Sequence, residues 1–161
     1  MKNIDFLKFY KNKKVFVTGH TGFKGIWLTN TLLILGANVV GYSLKDDKIL
    51  NYKKNCNHKK VKNIFANILD YRRLKDEFKK FKPQIVFHLA AQSLVIKSIK
   101  DPKNTIETNL NGTLNILEIC REFNFIKSAV IITSDKCYQN REIHKGYNEN
   151  DILGGDDPYS A

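Results

Sequence analysis

Cysteine, proline and acidic residues are all scarce in this sequence, and each scarcity excludes something. The three cysteines, Cys56, Cys120 and Cys137, stand too far apart for a paired metal or redox motif. That rules out a disulfide scaffold and leaves reduced thiols as the expectation. Cys56-Asn57-His58 could form half of a metal site, but no second half exists, so no metal is expected. Internal repeats, low-complexity tracts and linkers are missing as well, which points to one domain. No apolar run approaches the ~20 residues of a membrane span. The N-terminus has neither the apolar core nor the small-residue cleavage site of a secretory signal, so the expectation is a cytoplasmic protein with no membrane partner. Only 16 acidic residues face 27 basic ones, a net charge of +11. The lysines are scattered, at residues 11–14, Lys53-Lys54, Lys59-Lys60 and Lys79-Lys80, without aromatics between them to stack on bases. No nucleic-acid partner is expected; the positive field favours an anionic nucleotide instead.

What is present is a core and a pattern. With 42% hydrophobic residues in 161, the chain can bury a substantial interior. Val15-Phe16-Val17-Thr18 reads as a buried strand that runs into Gly19, Gly22 and Gly25 and then into an apolar helix. Each glycine has its own reason: a tight turn, close approach of backbone N–H groups to a pyrophosphate, and close helix–sheet packing. The helix N-terminus adds partial positive charge.

Along the chain, Phe6, Phe9 and Tyr10 fall on a short helical spacing, expected as a strap across the sheet's edge. Strand one covers 14–18, a helix runs from Ile26 to Leu35 and ends at Gly36, and strand two is Val39–Tyr42. Lys45 to Lys60 reads as a surface loop or irregular helix. Strand three is Val61–Asn67, and Asp70 caps a helix with Leu74, Phe78 and Phe81 on one face, stopped by Pro83. Strand four, Gln84–Ala91, is almost continuously apolar, as in a parallel strand covered on both sides. A loop from Gln92 to Asp101 precedes a helix over 102–123 with Ile106, Leu110, Thr113 and Leu117 on one stripe, broadened by Leu114 and Cys120. Strand five is Ala129–Ser134, and Asp157-Pro158-Tyr159-Ser160-Ala161 reads as a cap and first helical turn. Strands alternating with helices predict an α/β fold, a doubly wound parallel sheet of order 3-2-1-4-5 with its ligand at the carboxyl ends of the strands.

Three loops converge there: Gly19 to Gly25, Ala90-Ala91-Gln92 and Ser134-Asp135-Lys136, with Tyr159 entering from the last turn. The two alanines either bed a cofactor or simply pack tightly. Asp135-Lys136 is either chemistry or a solvent turn.

The segments Gly-His-Thr-Gly-Phe-Lys-Gly-Ile-Trp-Leu at 19–28, His-Leu-Ala-Ala-Gln-Ser-Leu-Val at 88–95, Thr-Ser-Asp-Lys-Cys-Tyr-Gln-Asn at 133–140 and Gly-Gly-Asp-Asp-Pro-Tyr-Ser-Ala at 154–161 resemble the extended short-chain dehydrogenase/reductase superfamily. More narrowly, they resemble its CDP-glucose 4,6-dehydratases. Asp135-Lys136 separates that branch from relatives acting on dTDP-glucose or GDP-mannose, which carry Asp-Glu or Thr-Glu-like pairs there. The resemblance implies a Rossmann-type domain that binds NAD, with NADP not excluded, and CDP-glucose as substrate. It makes Tyr159 the base at the sugar C4 hydroxyl, Ser134 its hydrogen-bonding companion, Asp135 the acid for the departing C6 hydroxyl and Lys136 the base at C5. Asn109 matches a helix asparagine that organises the proton relay. The implied cofactor-binding set is Gly19, Thr21, Gly22, Phe23, Lys24, Gly25, Ser43, Asn67, Ile68, Leu89, Ala90, Ala91 and Gln92.

A free tyrosine, at a pKa of about 10, needs a nearby cation to act as a base at neutral pH. In the family this is a lysine four residues further on, and the sequence ends two residues after Tyr159. Two further departures stand out. Ala66-Asn67-Ile68 has an amide where the family commonly has an aspartate, and Tyr42-Ser43-Leu44 lacks an acid for the ribose hydroxyls. Family chains run to roughly double this length. The expectation is therefore the amino-terminal piece of the enzyme, residues 1–161 forming an incomplete cofactor domain without a substrate domain and inactive alone, with the full-length protein a homodimer. Alternatives are a dinucleotide-binding fragment without turnover, or another dehydratase or an epimerase acting on a nucleotide sugar.

Overall fold

The computed structural model describes residues 6–45 and 48–160. Residues 1–5, Asp46, Asp47 and Ala161 belong to the expected strap, loop and last turn and lie outside the described residues.

Alternation of side chains along the strands builds the fold. In β1 (Lys14–Thr18), Val15 and Val17 face one way and Phe16 the other, and all three are fully buried. β1 pairs in parallel with β2 (Asn38–Ser43) on one side and β4 (Ile85–His88) on the other. The edges are β3 (Lys62–Phe65) beside β2 and β5 (Ser128–Ile131) beside β4. The order is β3-β2-β1-β4-β5, as the alternation predicts.

Each face of the sheet has its own core. Val15, Val17, Val39 and Ile85 pack under α2 (Phe23–Ile34) with Ile26 and Leu32, and under Tyr52 of α3 (Lys48–Asn55). On the other face Phe16, Val40, Tyr42 and Val86 pack under α4 (Tyr71–Phe81) and α7 (Gly112–Glu122) through Leu74, Phe78, Ile116 and Ile119. Phe16 and Phe78 lie 4.2 Å apart, centroid to centroid. Asp70 caps α4 by accepting the Arg73 amide at 3.0 Å, as its position predicts.

Several elements differ from the expectation. α2 begins at Phe23, three residues before Ile26, because the glycine turn leads straight into it. The lysine-rich 45–60 stretch contains α3, whose Tyr52 is fully buried, and Cys56 just after it joins the same core; the surrounding lysines hide both in the sequence. β3, β4 and β5 are each four residues long, shorter than their apolar runs. The expected 92–101 loop holds α5 (Val95–Lys100). α1 (Phe6–Phe9) leads to Asn12, whose amide donates to the Gly36 carbonyl at 2.8 Å beside the amino end of β1.

The 102–123 helix is α6 (Pro102–Ile106), one π turn (Glu107–Asn111) and α7. It buries Thr105, Gly112, Ile116 and Ile119, and it exposes the predicted stripe residues Ile106, Leu110 and Leu117 together with Leu114. The helix has two adjacent apolar faces, and periodicity cannot say which one meets the sheet. Gly112 decides it, because a Cβ there would lie 2.7 Å from Ile68.

Candidate functional site

The carboxyl end of β1 turns sharply at Gly19, whose φ of 68° lies in the left-handed region. Its amide donates to the Tyr42 carbonyl at 2.8 Å, and its carbonyl accepts from Gly22 at 3.0 Å. A Cβ on Gly25 would overlap that same carbonyl, so α2 can start this close to the strand end only without a side chain. Gly22 caps α2 with no side-chain hydrogen bond. The first amides of α2 have no intrahelical partner and are left for an anion beyond the helix end. Thr21 is buried and donates to Ser43 Oγ at 3.2 Å, which ties the cradle to the end of β2. Phe23 and Lys24 point outward, Phe23 being 78% exposed.

Beneath the cradle lies a buried polar cluster. Asn63 Oδ1 accepts from the Tyr52 hydroxyl at 2.6 Å and lies 3.0 Å from His20 Nε2, while its amide donates to the Val61 carbonyl. This arrangement puts the ring proton of His20 on Nε2. Burial holds the pKa of His20 below its usual value. Burial also pushes the Tyr42 phenol up to about 12, and its hydroxyl donates to the Asn67 carbonyl at 3.0 Å. The Asn67 side chain accepts the Leu69 amide at 3.0 Å, so its oxygen is engaged in the turn into α4. Ile68 is buried against Gly112.

At the end of β4 the loop from Leu89 to Gln92 is held by the π turn. Asn109 accepts the Gln92 amide at 2.8 Å and donates to the Gln92 carbonyl at 3.0 Å, clasping that residue's backbone at both ends. The Gln92 side chain is spent on Leu94 and Thr105, so together with the Asn109 clasp it fixes the shape of the loop rather than reaching out to a ligand. Ala90 is half-buried and Ala91 exposed.

Beyond β5, Ser134 Oγ accepts the Lys136 amide at 3.1 Å at the start of a single helical turn, Asp135–Cys137, with Asp135 and Lys136 exposed. Gly154 donates to the Cys137 carbonyl at 2.9 Å, which links this turn to the last segment. There Asp157 Oδ1 accepts the amides of Tyr159 at 2.8 Å and Ser160 at 3.2 Å, giving the expected cap geometry. Hydrogen bonds from Ser160, Tyr159 and Ser98 of α5 hold the Asp157 carboxyl below the usual range. Tyr159 is half-buried. Among the described residues no hydrogen bond or ion pair joins it to Ser134, Asp135 or Lys136.

His88, with Thr18 at one ring nitrogen and Thr113 at the other, lies at the floor of this crevice, and none of the three has a place in the sequence-predicted set. The available signal was His88 itself, one ionisable side chain inside an apolar strand. Among the described residues no group of three His, Cys, Asp or Glu side chains could hold a metal ion, and no helix is long and apolar enough to cross a membrane.

A turn without Cβ atoms, unpaired amides at a helix start and small residues at the neighbouring strand end fit a dinucleotide pyrophosphate. Comparison with known proteins agrees with this geometry. The chain is 45% identical over 153 residues to a CDP-glucose 4,6-dehydratase of Salmonella typhimurium, covering 94% of this chain and 43% of that protein. An epimerase structure from Methanothermobacter thermautotrophicus superposes with a TM-score of 0.85 at 29% identity, over 96% of this chain and 45% of that one. The UDP-glucose 4-epimerase of Thermus thermophilus, solved as a complex with NAD, gives 0.74 at 26% identity, over 91% and 46%. The chain thus spans under half the length of these relatives. The model of the GDP-mannose 4,6 dehydratase family matches residues 16–161, nearly the whole length, and the chain belongs to that family.

Proposed function

We propose that this chain is the dinucleotide-binding part of a CDP-glucose 4,6-dehydratase, with NAD as its cofactor and CDP-4-keto-6-deoxyglucose as the product. The observation that carries the reading is the cradle, in which Gly19 and Gly25 leave no room for a Cβ and the first amides of α2 are unpaired. The 45% identity to a protein named for this substrate and the Asp135-Lys136 pair support the choice of substrate.

In this reading the backbone from Gly19 to Gly25 binds the pyrophosphate, with Thr21, Ser43, Asn67 and Ile68 on the adenosine side and Leu89, Ala90, Ala91 and the Gln92 backbone along the nicotinamide side. A bound nicotinamide would supply the reversible hydride acceptor that lets hydride move from C4 to C6. Tyr159 takes the proton of the C4 hydroxyl, helped by the Ser134 hydroxyl. Lys136 removes the C5 proton and Asp135 protonates the leaving C6 hydroxyl, so water departs, and Lys136 gives its proton back to C5 when hydride arrives at C6. Lys136 can do this only as the neutral amine, which requires a site closed to water or a second cation. Asn109 contributes by holding the Gln92 backbone in place. The exposed stripe of Ile106, Leu110, Leu114 and Leu117 offers a second copy of the protein an apolar helix face. The substrate and cofactor are those of a cytoplasmic enzyme.

Calorimetric titration of the chain with NAD and NADP tests the cradle. Saturable binding, tighter for NAD, is expected; no heat with either at millimolar concentration refutes it. The reaction is tested by incubating CDP-glucose and NAD with a protein that carries this chain at its amino terminus, and following mass. Loss of one water, abolished in Asp135→Asn, is expected. Inversion at C4 without loss of mass would make the protein an epimerase instead.

A further inference from the structure

The carboxyl end of β1 is stitched to that of β4 by hydroxyl and imidazole groups whose proton directions can be worked out. Thr18 Oγ1 accepts two backbone amides, from Leu89 at 3.1 Å and from Ala90 at 3.1 Å. A hydroxyl oxygen has two lone pairs, so both are committed and its own proton must go elsewhere. The one further partner among the described residues is His88 Nδ1, at 2.7 Å. Nδ1 must therefore accept, which puts the ring proton on Nε2. Nε2 lies 3.1 Å from Thr113 Oγ1, and the Thr113 hydroxyl in turn donates to the Asn109 carbonyl at 2.6 Å. The donor sequence runs one way, from Nε2–H to Thr113 to Asn109, and separately from Thr18 to Nδ1. A second ring proton on Nδ1 would face the Thr18 proton, so the neutral form is the only one that satisfies every partner. Burial acts in the same direction: His88 is 2% exposed, and its pKa is pushed down to about 4.

The Leu89–Gln92 loop is gripped at both ends by this network, at the Leu89 and Ala90 amides through Thr18 and at the Gln92 backbone through Asn109. We propose that His88 is a positioning residue for dinucleotide binding: as the Nε2–H tautomer it orients the Thr18 hydroxyl so that Thr18 holds the Leu89 and Ala90 amides, and it thereby sets the wall on which the cofactor lies. The proposal rests on the dinucleotide reading of the crevice. The effect runs through Nδ1 as an acceptor, which separates it from simple space-filling.

Two substitutions distinguish these roles. In His88→Asn the side-chain oxygen branches from Cγ, as Nδ1 does, and can still accept from Thr18. In His88→Gln the polar group sits one bond further out, near the place of Nε2, and the acceptor is lost. NAD affinity measured by calorimetry is expected to stay within about threefold of the parent in His88→Asn and to fall by at least about tenfold in His88→Gln, a loss of about 1.4 kcal/mol. Space-filling alone predicts the reverse order, because Gln is closer to His in volume. A long-range 15N–1H spectrum of the 15N-histidine-labelled parent chain supplies a readout that requires neither variant to fold. It should show His88 protonated at Nε2 and not at Nδ1. A proton on Nδ1, or equal NAD affinities for the two variants, overturns the proposal. If the parent chain binds no dinucleotide, the functional reading falls and the proposal with it; if it binds and His88→Gln binds equally well, the proposal alone falls.

Discussion

Acidification from pH 7 to pH 5 should destabilise this chain before most of its carboxylates are protonated. In the unfolded chain His88 takes up its proton near pH 6.5, whereas in the folded chain burial lowers that value to about 4. The native state therefore resists a proton that the unfolded state accepts. The associated stability is fully present above pH 6.5 and is lost progressively down to about pH 4. With those two values the loss between pH 7 and pH 5 comes to about 2 kcal/mol. His20, also held below its usual value by burial, adds to it in the same direction. The depressed carboxyls of Glu77, Glu118 and Asp157, with ordinary values of 4.5, 4.5 and 3.8, act in the same direction, but most of their effect falls below pH 5. Urea titrations at pH 7, 6 and 5 measure the loss, and the difference between parent and His88→Asn isolates the His88 share. A parent chain whose unfolding free energy changes by less than about 0.5 kcal/mol over this interval would refute the buried, neutral His88.

Other perturbations have equally direct outcomes. Gly25→Ala places a methyl group on the Gly19 carbonyl and should weaken NAD binding at least about tenfold by calorimetry. Phe78→Ala empties a fully buried site against Phe16 and should cost about 3–5 kcal/mol in urea unfolding. Asp70→Ala removes the cap on the Arg73 amide and should cost about 1 kcal/mol by the same measurement, with NAD affinity unchanged. Leu110→Glu and Leu114→Glu together, on the exposed helix stripe, should leave the unfolding free energy within about 0.5 kcal/mol, because these side chains touch solvent rather than the core.

The legible part of the molecule is the part governed by local rules. β1 could be placed to the residue because a short apolar run ends at a glycine that must turn, and α4 because Asp70 caps it and its apolar residues recur at helical spacing. The sheet order followed from the alternation of strands and helices, since parallel strands need crossovers. Where two readings had the same local signature, only tertiary structure could choose. The 102–123 helix has two apolar faces, and contact of Gly112 with Ile68 turned the smaller one inward. Tyr52 disappears among lysines in the sequence, and it is buried because Asn63, 11 residues away, accepts its hydroxyl proton. The candidate site divides in the same way. The sequence alone determined the cradle, because glycine spacing encodes the turn and the close approach directly. The state of His88 depends on Thr18, 70 positions away, and Thr113, 25 positions away. No local pattern carries that information, because a tautomer is set by which partners the fold brings within hydrogen-bond reach.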